Sequence, residues 1–181
     1  MGRSKQLLPL NDKPVIRHCF DVLLSAGLDD IVVVVSSPEN GVIHALRGLP
    51  VTIAVNNAPG SEMAESVRAG LRAIDGYSSG VLVCLSDHPL VSGETIETVL
   101  QQHLETPGAI VIPSYQGKRG HPTLFPKQII TEIFFAATLR DIIRNHAQAV
   151  RTADVDDEGV ILDIDTEENY RVAVEKAGSR R

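Results

Sequence analysis

Three aspartates are spaced so that they could hold a hard cation. Asp87 follows the apolar run Val81-Leu82-Val83-Cys84-Leu85 and precedes His88-Pro89, so it leaves a strand end on a segment stiffened by proline. Asp163 and Asp165 lie two apart in Leu162-Asp163-Ile164-Asp165-Thr166. In a strand they would share one face while Leu162 and Ile164 take the other. If the two strand ends are neighbours, Asp87 with one of these aspartates would bind Mg²⁺ through a few carboxylate oxygens, leaving positions for water and phosphate oxygens. Ordinary structural roles stay open beside this one: Asp87 as a turn former capping a helix that begins near Ser92, and Asp165 or Thr166 as the cap of the last helix.

Two basic segments could meet anionic groups. Lys5 follows Met1-Gly2-Arg3-Ser4 and precedes Leu7-Leu8, either as a lysine that stabilises phosphate charge or as part of a solvated tail. Gly117-Lys118-Arg119-Gly120-His121-Pro122 is a loop flexible at its glycines and stiffened by Pro122, able to hold an anionic substrate or simply to turn a hairpin. Other chemistries lack their residues. There is no G-x-x-x-x-G-K-[ST] and no G-x-G-x-x-G phosphate cradle. The histidines form no H-x-x-x-H or H-E-x-x-H pair, and two cysteines do not suit a structural zinc site. Ser86-Asp87-His88 contains triad residue types, but adjacent side chains diverge and no G-x-S-x-G elbow is present.

The elements that must position these residues alternate along the chain. Residues 14 to 26 carry Val15, Ile16, Cys19, Phe20, Leu23 and Leu24 at helical spacing, with Pro14 at the start and Gly27 at the exit. Ile31 to Val35 is a β-branched run of the kind expected for a strand buried on both faces. A short helix over 39–47, a strand at Val51 to Val55, a polar turn at 56–60 and a helix from Ser61 to about Ile74 follow. Gly80 to Leu85 reads as a strand, 93–104 as a helix, Ala109 to Ile112 as a strand and Thr123 to Phe125 as an edge strand. Residues 126 to 146 read as one or two helices broken near Phe135 to Thr138, Val160 to Ile164 as a strand and Thr166 to Lys176 as a capped helix. This alternation specifies an α/β domain with a mostly parallel sheet covered on both faces, in one domain over residues 1–181. Ligands in such sheets bind outside the carboxyl ends of the strands, where Asp87 stands.

Composition agrees with a soluble enzyme-sized domain. The 181 residues are 43% hydrophobic and 22% charged, which excludes a disordered or collagen-like chain. The net charge of -6 argues against a nucleic-acid or anionic-lipid surface, and no apolar stretch is long enough for a membrane span, so a cytoplasmic location is expected. Cys19 and Cys84 sit in apolar runs and read as reduced core thiols.

Four segments resemble one family. Met1-Gly2-Arg3-Ser4-Lys5-Gln6-Leu7-Leu8-Pro9 resembles the second half of the signature A-A-G-x-S-x-R-M-G-x-x-K-x-L-L-P of the molybdenum cofactor cytidylyltransferase-like nucleotidyltransferases. Ser86 to Val91 resembles their G-D-x-P-L-V, Gly117 to Phe125 their G-x-x-G-H-P-x-L-F, and Leu162 to Tyr170 their L-D-I-D-T-P-E-D-Y. The resemblance implies a three-layer α/β/α Rossmann-like fold that binds a nucleoside triphosphate. The implied reaction transfers CMP from CTP to molybdenum-bearing molybdopterin with release of pyrophosphate, a molybdoenzyme then receiving the product. Gly2, Lys5 and Ser66 would contact the nucleotide, with Lys5 and Asp87 catalytic. Asp87 with Asp163 or Asp165 would hold Mg²⁺, and Gly120, His121 and Pro122 would face the pterin. Such a transfer needs in-line positioning and neutralised phosphate charge rather than a side-chain nucleophile.

The departures from the signature set further expectations. Guanylyltransferase relatives resemble M-G-x-x-D-K, one residue longer between glycine and lysine than Gly2 and Lys5 here, which favours CTP over GTP. Glu62, Ser86 and Glu167 stand where the family has Gly, Gly and Pro. The match begins at the methionine of the signature, so the strand and glycine-rich half-loop before it are missing from the match, which would leave neighbouring strand edges unpaired and sets the expectation of a misassigned start or a fragment. Alternative readings are transfer to another phosphorylated acceptor, such as a sugar phosphate or isoprenoid precursor, and a non-catalytic module that binds or delivers the cofactor.

Overall fold

The computed structural model describes residues 4–37, 41–58, 63–74 and 76–179. A 3₁₀ turn, Lys5–Leu7, leads into a hairpin of β1 (Pro9–Leu10) and β2 (Lys13–Pro14). Helix α1 (Val15–Ser25) starts directly after Pro14 and buries Val15, Ile16 and Phe20. It ends at Gly27, whose φ of 79° is a left-handed conformation that costs glycine little. Strand β3 (Val32–Val35), helix α2 (Gly41–Ala45) and strand β4 (Thr52–Val55) follow, with β3 and β4 paired in parallel. Ile16 and Phe20 of α1 pack with Ile31, Val35, Val42 and Leu46 into one apolar cluster.

Helix α3 (Met63–Ala73) leads to β5 (Gly80–Val83), α4 (Gly93–Glu105), β6 (Ile110–Tyr115), β7 (Lys118–Arg119) and β8 (Thr123–Pro126). Short helices α5 (Lys127–Ile130) and α6 (Leu139–Asn145), strand β9 (Val150–Asp154) and helix α7 (Glu167–Ser179) complete it. These strands form a five-stranded sheet in which β8 lies between β5 and β6, while β9 pairs with β6 in parallel. Because β8 is antiparallel to both its neighbours, β5, β6 and β9 all run the same way, and the sheet is mostly parallel in direction. Period-2 alternation on β6 makes the layers. Ile110 and Ile112 pack with Ala64, Phe125, Ile130 and Ile142 on one face. Val111 packs with Val99, Leu124 and Ala153 on the other. The result is the expected three-layer α/β/α arrangement.

Helix starts are chemically marked. The Ser92 hydroxyl accepts from the Thr95 N–H at 3.1 Å and caps α4, so Asp87 is not that cap. Thr138 and Asp141 make a reciprocal capping box for α6, which explains the break in the helical pattern before it.

The structure departs from the sequence pattern at several places. Thr123–Phe125 is not an edge strand: all four residues of β8 are buried, as a strand flanked on both sides requires. Residues 160–164 form no strand, because the Asp157 carboxylate accepts from the Gly159 N–H (3.0 Å) and turns Glu158–Val160 into a 3₁₀ turn. Leu162 to Asp165 run on without a strand partner. Strand β9 carries no alternating apolar signal, with Arg151 and Thr152 both exposed, and it forms by pairing with β6. Val32 to Val34 are only half-buried, and among the described residues no ladder joins β3 and β4 to the five-stranded sheet. Cys19 is half-buried and Cys84 keeps exposed surface, yet burial pushes both thiols up to about 12. Among the described residues no helix is long and apolar enough to cross a membrane.

Close packing at Gly159 is testable. A Cβ there would lie 2.3 Å from the Leu90 carbonyl oxygen, and backbone cannot swing aside as a side-chain tip can. Gly159→Ala is expected to destabilise the fold by about 2 kcal/mol or more by urea denaturation. Gly108→Ala, where nothing lies within 4 Å, is expected to leave the urea midpoint near that of the parent.

Candidate active site

The C-terminal end of β5 meets the segment before α7 through one backbone hydrogen bond, Ile164 N–H to the Asp87 carbonyl at 3.0 Å. Ile164 is fully buried among Leu10, Val15, Leu90 and Ala173, so its neighbours Asp163 and Asp165 are held outward on either side of an apolar anchor. The Tyr170 hydroxyl donates to the Pro9 carbonyl and ties α7 to the first hairpin. Asp157 secures the other end of this segment. Its carboxylate accepts from the Ser92 N–H at 2.8 Å and the Thr95 hydroxyl at 2.7 Å, joining the 157–160 turn to the start of α4.

These ties bring Lys5, Asp87, Asp163 and Asp165 together. Lys5 Nζ donates to Asp165 Oδ1 at 2.6 Å, so Lys5 is part of the cluster and not a solvated tail. That bond, with Asp165, Asp87 and Asp163 all nearby as negative charges, raises the Lys5 ammonium above its usual range. Asp163 Oδ1 accepts from the Asp165 N–H at 2.9 Å and from Asn169 Nδ2 at 3.1 Å. Its carboxyl is held below the usual range, first by the Asp165 N–H. Helix α7 is capped instead by Thr166, whose hydroxyl accepts from the Asn169 N–H at 3.0 Å.

Asp87 is the strained member. Its Oδ1 is sealed from solvent without a hydrogen-bond donor, although 28% of the side chain remains exposed. Burial raises its carboxyl above the ordinary range, with Asp165 and Asp163 adding to the rise and His88 opposing it. A divalent cation suits this arrangement, because it would supply the positive charge that one lysine among three carboxylates does not. Among the described residues no three His, Cys, Asp or Glu side chains converge tightly enough to hold a metal ion alone. The fit is therefore to a cation that brings phosphate or water oxygens as its remaining ligands.

Ser66 lies apart from the carboxylates. Its hydroxyl accepts from Asn56 Nδ2 at 3.0 Å, and both line a cavity of about 510 Å³ with Ser4, Gln6, Ser86 and the Val33–Val35 flank of β3. Gln6 Nε2 donates to Ser86 Oγ at 3.1 Å, linking the turn that carries Lys5 to the residue before Asp87. The cavity and the carboxylates thus share one rim. Gly117 and Gln116, both with positive φ, turn a β6–β7 hairpin that leaves Lys118 and Arg119 exposed. Gly120 and His121 reach back toward the site: Gly120 N–H donates to Pro113 and His121 N–H to Val160, at 2.9 and 2.8 Å. The His121 ring lies 5.4 Å from the His88 ring, and burial lowers His121 to about 4. Pro122 follows across a cis peptide bond. Gly2 and Glu62 fall outside the described residues.

Sequence reasoning missed Asn56, His88, Asp157 and Asn169. Asn169, six residues beyond Asp163, stands within reach of it at the first turn of α7. Asn56 reaches Ser66 from the turn before α3, and His88 and Asp157 make contacts across more than sixty residues that no local pattern reports.

The protein has the nucleotidyltransferase fold, shared with solved structures of that class, and its carboxylates gather beyond the end of one strand. The chain belongs to the MobA-like NTP transferase domain family, whose model matches residues 1–152. It is 30% identical over 146 residues to glucose-1-phosphate thymidylyltransferase of Neisseria meningitidis, covering 77% of this chain and 49% of that protein. It is 35% identical over 118 residues to the chloroplastic 2-C-methyl-D-erythritol 4-phosphate cytidylyltransferase of Oryza sativa, covering 61% of this chain and 38% of that protein. The chain thus spans half or less of the length of these curated relatives. Among solved structures it is similar to Rv0371c of Mycobacterium tuberculosis in complex with manganese, at TM-score 0.75 and 25% identity over 96% of this chain and 93% of that one. A nucleotidyl transferase from Methanothermobacter shares the fold at TM-score 0.84 and 19% identity, over 98% and 86% of the two chains.

The electrostatics of Asp87 set a stability test. A carboxyl raised in the folded state contributes stability below its ordinary value of 3.8 and loses it as pH rises through the folded value. Above the folded value the ionised, partly buried carboxylate is a burden on the fold. Asp87→Asn is expected to raise the melting temperature at pH 7, with the gain shrinking as pH falls toward 3.8, in thermal melts across that range.

Proposed function

We propose that the protein is a Mg²⁺-dependent nucleotidyltransferase that transfers CMP from CTP to a phosphorylated acceptor of the molybdopterin type, releasing pyrophosphate. The observation that carries this reading is the gathering of Lys5, Asp87, Asp163 and Asp165 around an Asp87 oxygen that has no donor. The family supports the reaction class, and the cytidylyltransferase among the relatives supports CTP. The four matched segments support the acceptor.

In this reading an acceptor phosphate oxygen attacks the α-phosphorus of CTP in line, a P–O bond forms there, and the bond to the β-phosphate oxygen breaks. Lys5 exchanges Asp165 for the triphosphate and stabilises the charge that develops on the transferring phosphoryl group. Asp87 with Asp163 or Asp165 would hold Mg²⁺, which when bound neutralises charge on the phosphate oxygens. Ser66 and the cavity it lines receive the nucleoside, and Gly2 completes contacts to the phosphates. Gly120, His121 and Pro122 lie on the acceptor side. No side-chain nucleophile takes part. The names of the thymidylyltransferase and methylerythritol-phosphate relatives favour a second reading, in which the acceptor is a sugar phosphate or an isoprenoid precursor.

Calorimetry with CTP, GTP and ATP in the presence of Mg²⁺ tests the donor. CTP is expected to bind most tightly, and Asp87→Ala to lose the Mg²⁺-dependent part of that binding. With molybdopterin and a hexose 1-phosphate as competing acceptors, pyrophosphate release is expected with the first, and Lys5→Ala is expected to slow it about 100-fold or more. Release only with the sugar phosphate would select the second reading. Absence of nucleotide binding by the folded protein would leave a cofactor-binding or delivery module.

A further inference from the structure

Two strand edges are bare. Strand β3 pairs with β4 on one side, and β5 ends the five-stranded sheet with β8 as its partner. Among the described residues neither strand has a ladder on its other edge. Parallel strands covered by helices are buried on both faces, yet residues 32–34 and the whole of Gly80–Val83 are only half-buried.

The two edges face each other. Ser36 and Ser86, which follow β3 and β5, line one cavity, so the carboxyl ends of both strands open at the same rim. At the other end, Gly76 lies so near Asp30 that a Cβ on it would stand 3.1 Å from the Asp30 carboxylate. The strands therefore run the same way, side by side. Helix α3 spans the gap on one face: a Cβ on Gly70 would lie 3.2 Å from Val34, while Val67 and Leu71 pack with Val81 and Val83. Helix α1 spans the other, with Phe20 packed against Ile31 and Val35, and Cys19 and Leu23 beside Cys84 and Leu85. Between them lies a slot walled by two strands and closed above and below by helices. The N–H and C=O groups that point into it from both walls are matched together only by another strand.

The first turn of the chain marks what enters the slot. Ser4 and Gln6 stand on the same rim as Ser36 and Ser86, and Gln6 donates to Ser86 Oγ at 3.1 Å. A strand climbing the slot in the direction of β3 and β5 would emerge at that rim, directly ahead of Ser4. We infer that the slot seats one further parallel strand, apolar on both faces and supplied by polypeptide joined to the amino-terminal side of Ser4, which unites β3 and β4 with the five-stranded sheet. It would cover Ile16, Val33 and Val34 on the apolar side of the cavity and leave Asn56 and Ser66 at the rim.

Amide hydrogen exchange reads the two walls directly. In the 181-residue chain, amides of Val32–Val35 and Gly80–Val83 are expected to exchange about 10-fold or more faster than those of Ile110–Tyr115, whose strand is paired on both edges. Adding about five alternating valines and isoleucines and a short glycine-serine link ahead of Met1 is expected to slow both walls about 10-fold and to raise the thermal midpoint. The same addition with a proline at its centre is expected to leave both walls fast, because proline cannot donate to a ladder. Slow exchange of both walls in the 181-residue chain at every protein concentration would overturn the inference. So would an apolar addition that slows neither wall or only one, that lowers the midpoint or prevents folding, or that acts equally with proline at its centre. Slowing that appears in the 181-residue chain as its concentration rises would give the slot to a second copy and overturn the source named here.

Discussion

The hydrogen bond from Ile164 N–H to the Asp87 carbonyl is the contact on which the site depends. It joins the end of β5 to a segment that has no strand partner of its own, and burial of Ile164 makes the junction apolar and rigid. Everything charged is then arranged around it. Asp163 and Asp165 project on either side of the anchor, and Lys5 closes onto Asp165 from the first turn of the chain. Asp87, Asp163 and Asp165 repel one another, and a cluster that gathers three carboxylates needs such an anchor beside the one Lys5–Asp165 ion pair.

That repulsion is visible in the opposite behaviour of two carboxyls. Asp163 has an N–H and an amide on one oxygen and is held below its ordinary range. Asp87 is partly buried beside both other aspartates and is held above it. A carboxyl whose charge its surroundings disfavour is a common mark of a functional site. The fold tolerates it because the surrounding segments are fixed independently, by Asp157 at the start of α4, by Tyr170 at the first hairpin, and by the backbone contact of Gly159 with Leu90.

The helices were legible in residue order because their signals are local. The amphipathic spacing of Val15, Ile16, Phe20 and Leu23, the Ser92 cap and the Thr138 capping box each act within a few residues. Strands were legible where a β-branched run formed them, as at Val32–Val35, and illegible where pairing did, as at Val150–Asp154. Leu162 to Asp165 misled for a related reason: the alternation that suggests a strand is present, with Ile164 in and the aspartates out, but burial alone produces it without a ladder. Thr123–Pro126 looked like an edge because its run is short, yet it lies inside the sheet.

From the residues alone came the α/β class, the candidates Lys5, Asp87, Asp163 and Asp165, and the basic glycine loop, since apolar period and residue chemistry are properties of short stretches. The tertiary structure alone decided that Lys5 pairs with Asp165, that Asp163 is braced by Asn169, and that His88 stands between Gly159 and Asp87. Each of these joins side chains through space at distances of a few ångströms, and their geometry is set by the packing of Ile164 and the turn at Asp157. Periodicity reports which face of an element is buried, but it carries no information about which other element lies opposite.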